Sequence, residues 1–452
     1  MVAASPAMAA EESVAPGRGG AFRWLVVAIL FVGYCFSAID ARVLTLMVEP
    51  IQADLGLSDF EMGLLQGFAF SILYSMAALP IGRYVDRAKR RSMLIFWGVL
   101  FWSLMTALCG FASSFVGLFV ARVGVGVGEA TLSPTAYSLI SDYFERKRRA
   151  LAISFYAIGY PIGGGLALLI GGWLITHFTE QGGLVLPFLG DFEPWQAVFL
   201  CVAAPGILVA AAMLLIREPP RREMAKELAA QSTLREGFAY VMERKVLFGS
   251  LIGSLGLIAL LAIGTALWFP TFLIRTYAMS PGEVGIYYGG VMLACGTVGT
   301  LFGGWLSGRL MHSGRADANM RIVLFSTLLK GFPLVLAPLM PSAMLALAMM
   351  AVGTLIGQAS QGVMLAAIQD VTPNQLRGQV TAIALLAVNL LGMGLGASVI
   401  AAITDFGFGD QGALRYSIAI TGAITLPLIL VMLVSALPHY RRAVESLSSQ
   451  DA

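Results

Sequence analysis

Charge is what this chain has least of: Asp, Glu, Lys and Arg make up 12% of it against 58% apolar residues, and its mean hydropathy is +0.81. Soluble domains carry about twice that share of charge, so the bulk of the chain is excluded from water and reads as an integral membrane protein. Histidine is scarce too: His177, His312 and His439 lie in loops or near helix ends, and no catalytic or metal-ligating set forms around them. The four cysteines, Cys35, Cys109, Cys201 and Cys295, all fall inside apolar runs, which excludes a disulfide framework and a metal site. No nucleotide-binding motif is present, because Gly124, Gly126 and Gly128 alternate without the strand, Lys or helix start that a phosphate loop needs. An ATP-driven pump, an enzyme and a receptor with a sensory domain are therefore disfavoured. No cofactor, no metal and no nucleic-acid partner is expected. Residues 1–21 lack the basic start, apolar core and cleavage site of a signal peptide and read as a disordered tail.

Long apolar runs are what the chain has in abundance. Twelve are long enough to span a bilayer, beginning near Phe22, Glu61, Ser92, Ser114, Ala150, Trp195, Leu247, Val284, Ile322, Ala343, Gly378 and Leu414. The connections at 82–91, 142–149, 217–245, 309–321 and 370–377, with both ends of the chain, hold 24 of the 29 Lys and Arg residues. The alternate connections hold Arg275 and Arg415, while Arg42, Arg122 and Lys330 sit at membrane depth. Positive charge marks the cytoplasmic side, so both termini are expected there, in a cell inner membrane.

Residues 217–246 are the one long hydrophilic connection, part of it with the pattern of an amphipathic surface helix. They separate a six-helix bundle at 22–216 from a second at 247–438, with a short tail at 439–452. The halves repeat each other: "LSDFEMGLLQG" at 57–67 matches "MSPGEVGIYYG" at 279–289, and Gly82 and Arg87 match Gly304 and Arg309, all at an offset of 222. Asp142 and Arg149 recur as Asp370 and Arg377 at an offset of 228. Two parallel six-helix repeats are the architecture of a transporter that rocks around a central site. The fold class expected is all-α, two pseudo-symmetric six-helix bundles.

"PIGRYVDRAKRR" at 80–91, with the weaker "GGWLSGRL" at 303–310, resembles the signature that the major facilitator superfamily carries once per half, between its second and third helices. "IDARVLTLMVEPIQADLGLSDFEMGLLQG" at 39–67 and "RVGVGVGEATLSPTAYSLISDYF" at 122–144 resemble the Spinster branch, whose fourth helix carries Gly-Glu-Ala after an Arg. That resemblance implies proton-linked movement of lysophospholipids or sphingosine-type phosphates. One departure stands out: the branch has Asp followed directly by Arg in the first helix, whereas Ala41 separates Asp40 from Arg42 here. Residues two apart point to nearly opposite sides of a helix.

The charges at membrane depth are the candidate site. Arg122 and Glu129 lie seven residues apart, two turns along one helical face and about 10 Å apart in height. A charge at the bilayer centre costs roughly 2.5–3.5 kcal/mol, so it faces a bundle interior or water and marks function. The pair is expected to face a central cavity, Glu129 exchanging a proton with Asp40 as its rival, and Arg122 holding an anion or stabilising the carboxylate. The plainer reading is a fixed Arg–Glu clamp between helices. Two readings stand for Arg42, membership of the site and snorkelling to the interface; Lys330, on a peripheral helix, is read as snorkelling.

The C-terminal half offers Gln358, Gln361 and Asn389 as its polar candidates amid apolar residues. A cavity charged on one wall and apolar on the other suits an amphiphile with an anionic head. In the signature, Gly82, Asp86, Arg87, Arg90 and Arg91 are expected to form a cytoplasmic gate, the simpler reading being a topology signal alone. "GYPIGGG" at 159–165 partly resembles the superfamily's antiporter signature. The function expected is a proton-coupled secondary transporter of amphipathic lipid anions, acting as a monomer; the alternative is a drug or organic-anion/proton antiporter of the same fold.

Overall fold

The computed structural model describes residues 19–187, 190–220, 234–310 and 317–448. Its described residues form twelve helices long and apolar enough to cross a membrane: α1 Gly20–Leu46, α2 Asp59–Val85, α3 Arg91–Gly110, α4 Phe115–Tyr143, α5 Arg148–Gln181, α6 Pro194–Met213, α7 Lys245–Tyr277, α8 Pro281–Gly303, α9 Asn319–Leu339, α10 Ala343–Asp370, α11 Arg377–Phe408 and α12 Gln411–Ser446. Each begins within three residues of its expected start. Helices suit apolar runs of this length, since hydrocarbon offers backbone amides no partner and a helix pairs them within the segment. Large apolar side chains face outward, Trp97 and Trp173 being 59% and 63% exposed, which only a lipid surface tolerates.

The last helix continues to Ser448, past the expected boundary of the C-terminal tail. A linker helix, Leu234–Glu243, occupies part of the long connection, and a small antiparallel hairpin, Leu184–Leu186 with Gly190–Phe192, joins α5 to α6. The hairpin was not anticipated: its strands are too short to show alternation.

The internal repeat is written in the helix ends. Ser58 and Glu61 form a reciprocal capping box at the start of α2, and Ser280 and Glu283 repeat it, 222 residues later, at the start of α8. Ser114 caps α4 and Ser342, at the offset of 228, caps α10. Each such cap contributes about 1 kcal/mol. At the opposite ends, Arg149 donates to the Ser141 carbonyl (3.1 Å) and Arg377 to the Gln369 carbonyl (3.2 Å), again at the offset of 228. We call the ends bearing these arginines the basic face and the capped ends the far face.

The halves meet along two glycine-lined seams. Gly165 and Gly172 of α5 pack on Gly289 and Gly285 of α8, and Gly63 and Gly67 of α2 pack on Ala397 and Met393 of α11. Small residues let backbones approach where apolar burial gives no driving force. Both seams run through the part of the helices remote from the basic face. Toward the basic face, a Cβ at Gly82 of α2 would meet open space.

Candidate functional site

Three helices bring the site together. In α4 the alternating glycines face two ways, Gly124 and Gly128 against Met105 and Trp102 of α3, Gly126 against the Phe70 backbone of α2. Close packing on both sides carries Arg122 and Glu129 into the interior of the N-terminal half. Asp40 accepts a hydrogen bond from Thr106 of α3 (2.8 Å), Arg122 Nη1 donates to the Asp40 carbonyl oxygen (3.1 Å), and the Ser37 hydroxyl donates to Glu129. α1 is thereby stitched to α3 and α4.

No ion pair closes between Arg122 and Glu129, so the fixed clamp is not what the structure shows. Exposure to an open cavity is not found either. Arg122 is 1% and Glu129 4% exposed, because the Phe70 ring lies 5.8 Å from the guanidinium and helix packing encloses the carboxylate. Within this enclosure Arg122 Nε and Nη2 and Glu129 Oε1 have no hydrogen-bond partner among the described residues. Buried polar groups are almost always paired, so orphans here mark where a ligand, a water or a rearranged partner is received.

Arg42 diverges from Asp40 as their spacing predicts. Asp40 turns to α3, whereas Arg42 lies 5.9 Å over the Tyr160 ring, beside Gly164 of α5 and within electrostatic reach of Tyr288 of α8. Its Nε is unpartnered, and so is the hydroxyl of the fully buried Tyr288. Beneath Arg42 runs a ladder of rings missed in the sequence: Tyr160 to Tyr34 (5.3 Å), Tyr34 stacked on Tyr156 (4.6 Å), Tyr156 to Tyr137 (5.5 Å). Tyr137, toward the basic face, is 40% exposed. Only Ser37 of the unforeseen partners left a signal, sitting one helical turn before Asp40; the tyrosines are scattered over three helices.

In the C-terminal half Gln358 and Asn389 are part-exposed and make no side-chain hydrogen bond among the described residues, while the Gln361 side chain lies outside the described part of the structure. Asn389 sits in a π-helical turn, Val388–Leu395, which faces another, Leu64–Phe68, across the seam of α2 and α11. Such turns gather at functional sites. The stem of Lys330 packs toward Gly357 of α10, and among the described residues its ammonium has no partner.

The profile of the Major Facilitator Superfamily matches residues 30–397. The chain belongs to the Major Facilitator Superfamily. It is a transporter of that superfamily, and its likeness to the Spinster branch is borne out. A crystal structure titled as a bacterial homolog of the human lysosomal transporter Spinster, inward-facing and unoccupied, is similar at a TM-score of 0.74 and 28% identity, covering 94% of this chain and 98% of that one. Protein spinster homolog 1 of Xenopus tropicalis is 29% identical over 65% of this chain and 56% of its own length. An MFS-type efflux pump of Mycolicibacterium smegmatis is 28% identical over 96% of each chain.

The superfamily signature can now be placed. Arg87 and Arg90 stay exposed, and the Asp86 side chain lies outside the described part of the structure. Arg91 is the anchor: fully buried, it binds Asp142 (2.6 Å), Glu218 (2.6 Å) and Ser138 (2.8 Å). At the offset of 228 Asn319 stands for Arg91, binding Asp370 (2.7 Å), which Tyr440 also reaches (2.8 Å). Nearby, hydrogen bonds from Arg321 and Arg441 hold the Asp317 carboxyl below its usual range. Arg91→Ala is expected to cost about 3 kcal/mol, the lower end for a broken buried pair because Glu218 keeps some contact with water. Thermal unfolding in detergent will show a clear fall for Arg91→Ala and none for Arg90→Ala.

The far face is shut by a cluster of which the sequence singled out only Arg275, as part of its charge bias. Arg275 of α7 grips both oxygens of Asp59 (2.7 and 2.8 Å), Glu49 (2.6 Å) and Gln52 (2.8 Å), and Asp405 of α11 accepts from the Phe60 amide (2.6 Å). Every one of these contacts joins one half to the other.

Proposed function

We propose that the protein moves amphipathic lipid anions, lysophospholipid or sphingosine-phosphate-like, by proton-coupled alternating access. The observation that carries this reading is the orphaned set of Arg122 Nε and Nη2 and Glu129 Oε1, enclosed in one half and left unpaired with each other. An anionic head drawn toward Arg122 withdraws compensation from Glu129 and favours its protonation, and linkage makes the effect reciprocal. Arg42, with the tyrosine ladder leading to it from the basic face, is assigned to the substrate path on the other side of α1, and the polar Gln358, Gln361 and Asn389 are assigned to the otherwise apolar wall opposite. Asp40 is assigned to proton coupling beside Glu129. Likeness to Spinster proteins supports the lipid class.

The far-face cluster and the open space at Gly82 fit an inward-facing state. The same reading takes the basic face as cytoplasmic, with both termini inside, and the chain as a monomer in a cell inner membrane. A cysteine replacing Ala239 on the linker helix is expected to react with an impermeant thiol reagent only in inverted vesicles; reaction in right-side-out cells overturns the orientation.

A second reading, drug or organic-anion/proton antiport, is favoured by the relative described as an efflux pump. Proteoliposomes with an imposed pH gradient decide between them. Labelled lysophospholipid is expected to accumulate, and hydrophobic drugs are not; the reverse result establishes the second reading.

A further inference from the structure

The basic face carries a second, separate feature, a groove of about 450 Å³ between the start of α7 and the end of α12. Arg244, Lys245, His439 and Arg442 line it, with Glu243 as the one carboxylate among the described lining residues. The chain supplies these basic groups from two places nearly 200 residues apart in sequence. Arg244 is braced by the Tyr240 ring, 4.3 Å from its guanidinium carbon. Arg244 also stands at the N-cap of α7 without a side-chain cap, so the positive end of a helix opens toward the same space.

Apolar surface adjoins the groove on its membrane side. Val246 at its rim is 53% exposed, and below it along α12 Val434 and Val431 are 55% and 65% exposed to the bilayer. The linker helix adds Phe238 and Met242, one turn apart on its outer side, 55% and 48% exposed. A basic rim at the end of the membrane spans, continued by an apolar track along one of them, matches an amphiphile with an anionic head at the interface. A soluble phosphate would have no use for the track.

We propose that this groove binds an anionic phospholipid of the surrounding bilayer, its phosphodiester held by Arg244, Lys245 and Arg442 and its chains lying along Val434 and Val431. The chemistry is that of basic pockets between spanning helices at the headgroup level. The bound lipid ties the linker helix, α7 and α12 together at the place where the connection from the N-terminal half enters the C-terminal one. It is independent of the transport site and of what is transported.

Native mass spectrometry of the detergent-purified protein, titrated with phosphatidylglycerol or phosphatidylcholine, tests this. Phosphatidylglycerol is expected to be retained at detergent concentrations that strip phosphatidylcholine. The variant Arg244→Gln/Lys245→Gln/Arg442→Gln keeps the long stems and is expected to weaken phosphatidylglycerol retention on the order of 100-fold, at about fivefold per basic side chain. Arg442→Gln alone changes one exposed side chain and is expected to weaken it about fivefold, which guards against misfolding of the triple variant. Arg321→Gln/Arg377→Gln, elsewhere on the basic face, is the control and is expected to retain the lipid. Equal retention of the two lipids by the unaltered protein, undiminished retention by Arg442→Gln, or an equal loss in the control overturns the proposal.

Discussion

Glu129→Gln is expected to abolish proton-driven transport while leaving the protein folded and able to bind lipid. The amide keeps the size of the carboxyl and can still accept from Ser37, so the stitching of α1 to α4 survives. What it removes is a group able to take and release a proton beside the unpaired nitrogens of Arg122. Proteoliposome uptake under a pH gradient should fall on the order of 100-fold, the size of effect when a positioned proton-transfer group is lost. Downhill exchange of lipid without a gradient should persist. Asp40→Asn makes the discriminating comparison, because Asp40 is tied to Thr106 and its backbone already serves Arg122. If Asp40→Asn abolishes gradient-driven uptake and Glu129→Gln does not, coupling belongs to α1 and the assignment to α4 is wrong.

Arg275→Ala is expected to open the far face. Its removal leaves the fully buried Asp59 side chain without its bidentate partner, at a cost of about 3–5 kcal/mol while the halves stay closed. Opening returns that carboxylate to water, so the equilibrium shifts toward the open state by roughly two to four powers of ten. Spin labels at Ala53 and Phe408, exposed on opposite halves of the far face, should report longer and broader distances in the variant. Arg275→Lys retains charge but not the planar fork and should fall between. Unchanged distances in Arg275→Ala would mean that the glycine seams and the Asp405–Phe60 contact hold the face shut without Arg275.

The spans, their starts, the two halves and the superfamily were legible in the sequence because each rests on a local signal. A run of apolar residues needs only its own length to declare a membrane helix. The repeat declared itself by offset, and the structure extends it to capping serines, Ser58 with Ser280 and Ser114 with Ser342, and to the exchange of Arg91 for Asn319. The divergence of Asp40 and Arg42 was legible too, since two residues on one helix fix their relative direction whatever surrounds them.

What each charge touches was not legible. Arg275 looked like a stray cation in a far-face connection, yet it binds Glu49, Gln52 and Asp59, which precede it by more than 200 residues. Arg122 and Glu129, two turns apart on one helix, do not meet; one turns to the backbone of Asp40 and the other to Ser37. The tyrosine ladder draws on α1, α4 and α5, and no one of these helices shows it. Periodicity and charge bias determined that there would be twelve helices in two matching sets and which of their ends would be basic. Only the packing of one helix on another decided which polar groups are satisfied, which are left waiting, and which end of the molecule is closed, because a side chain's partner is set by the neighbouring helix and not by its own.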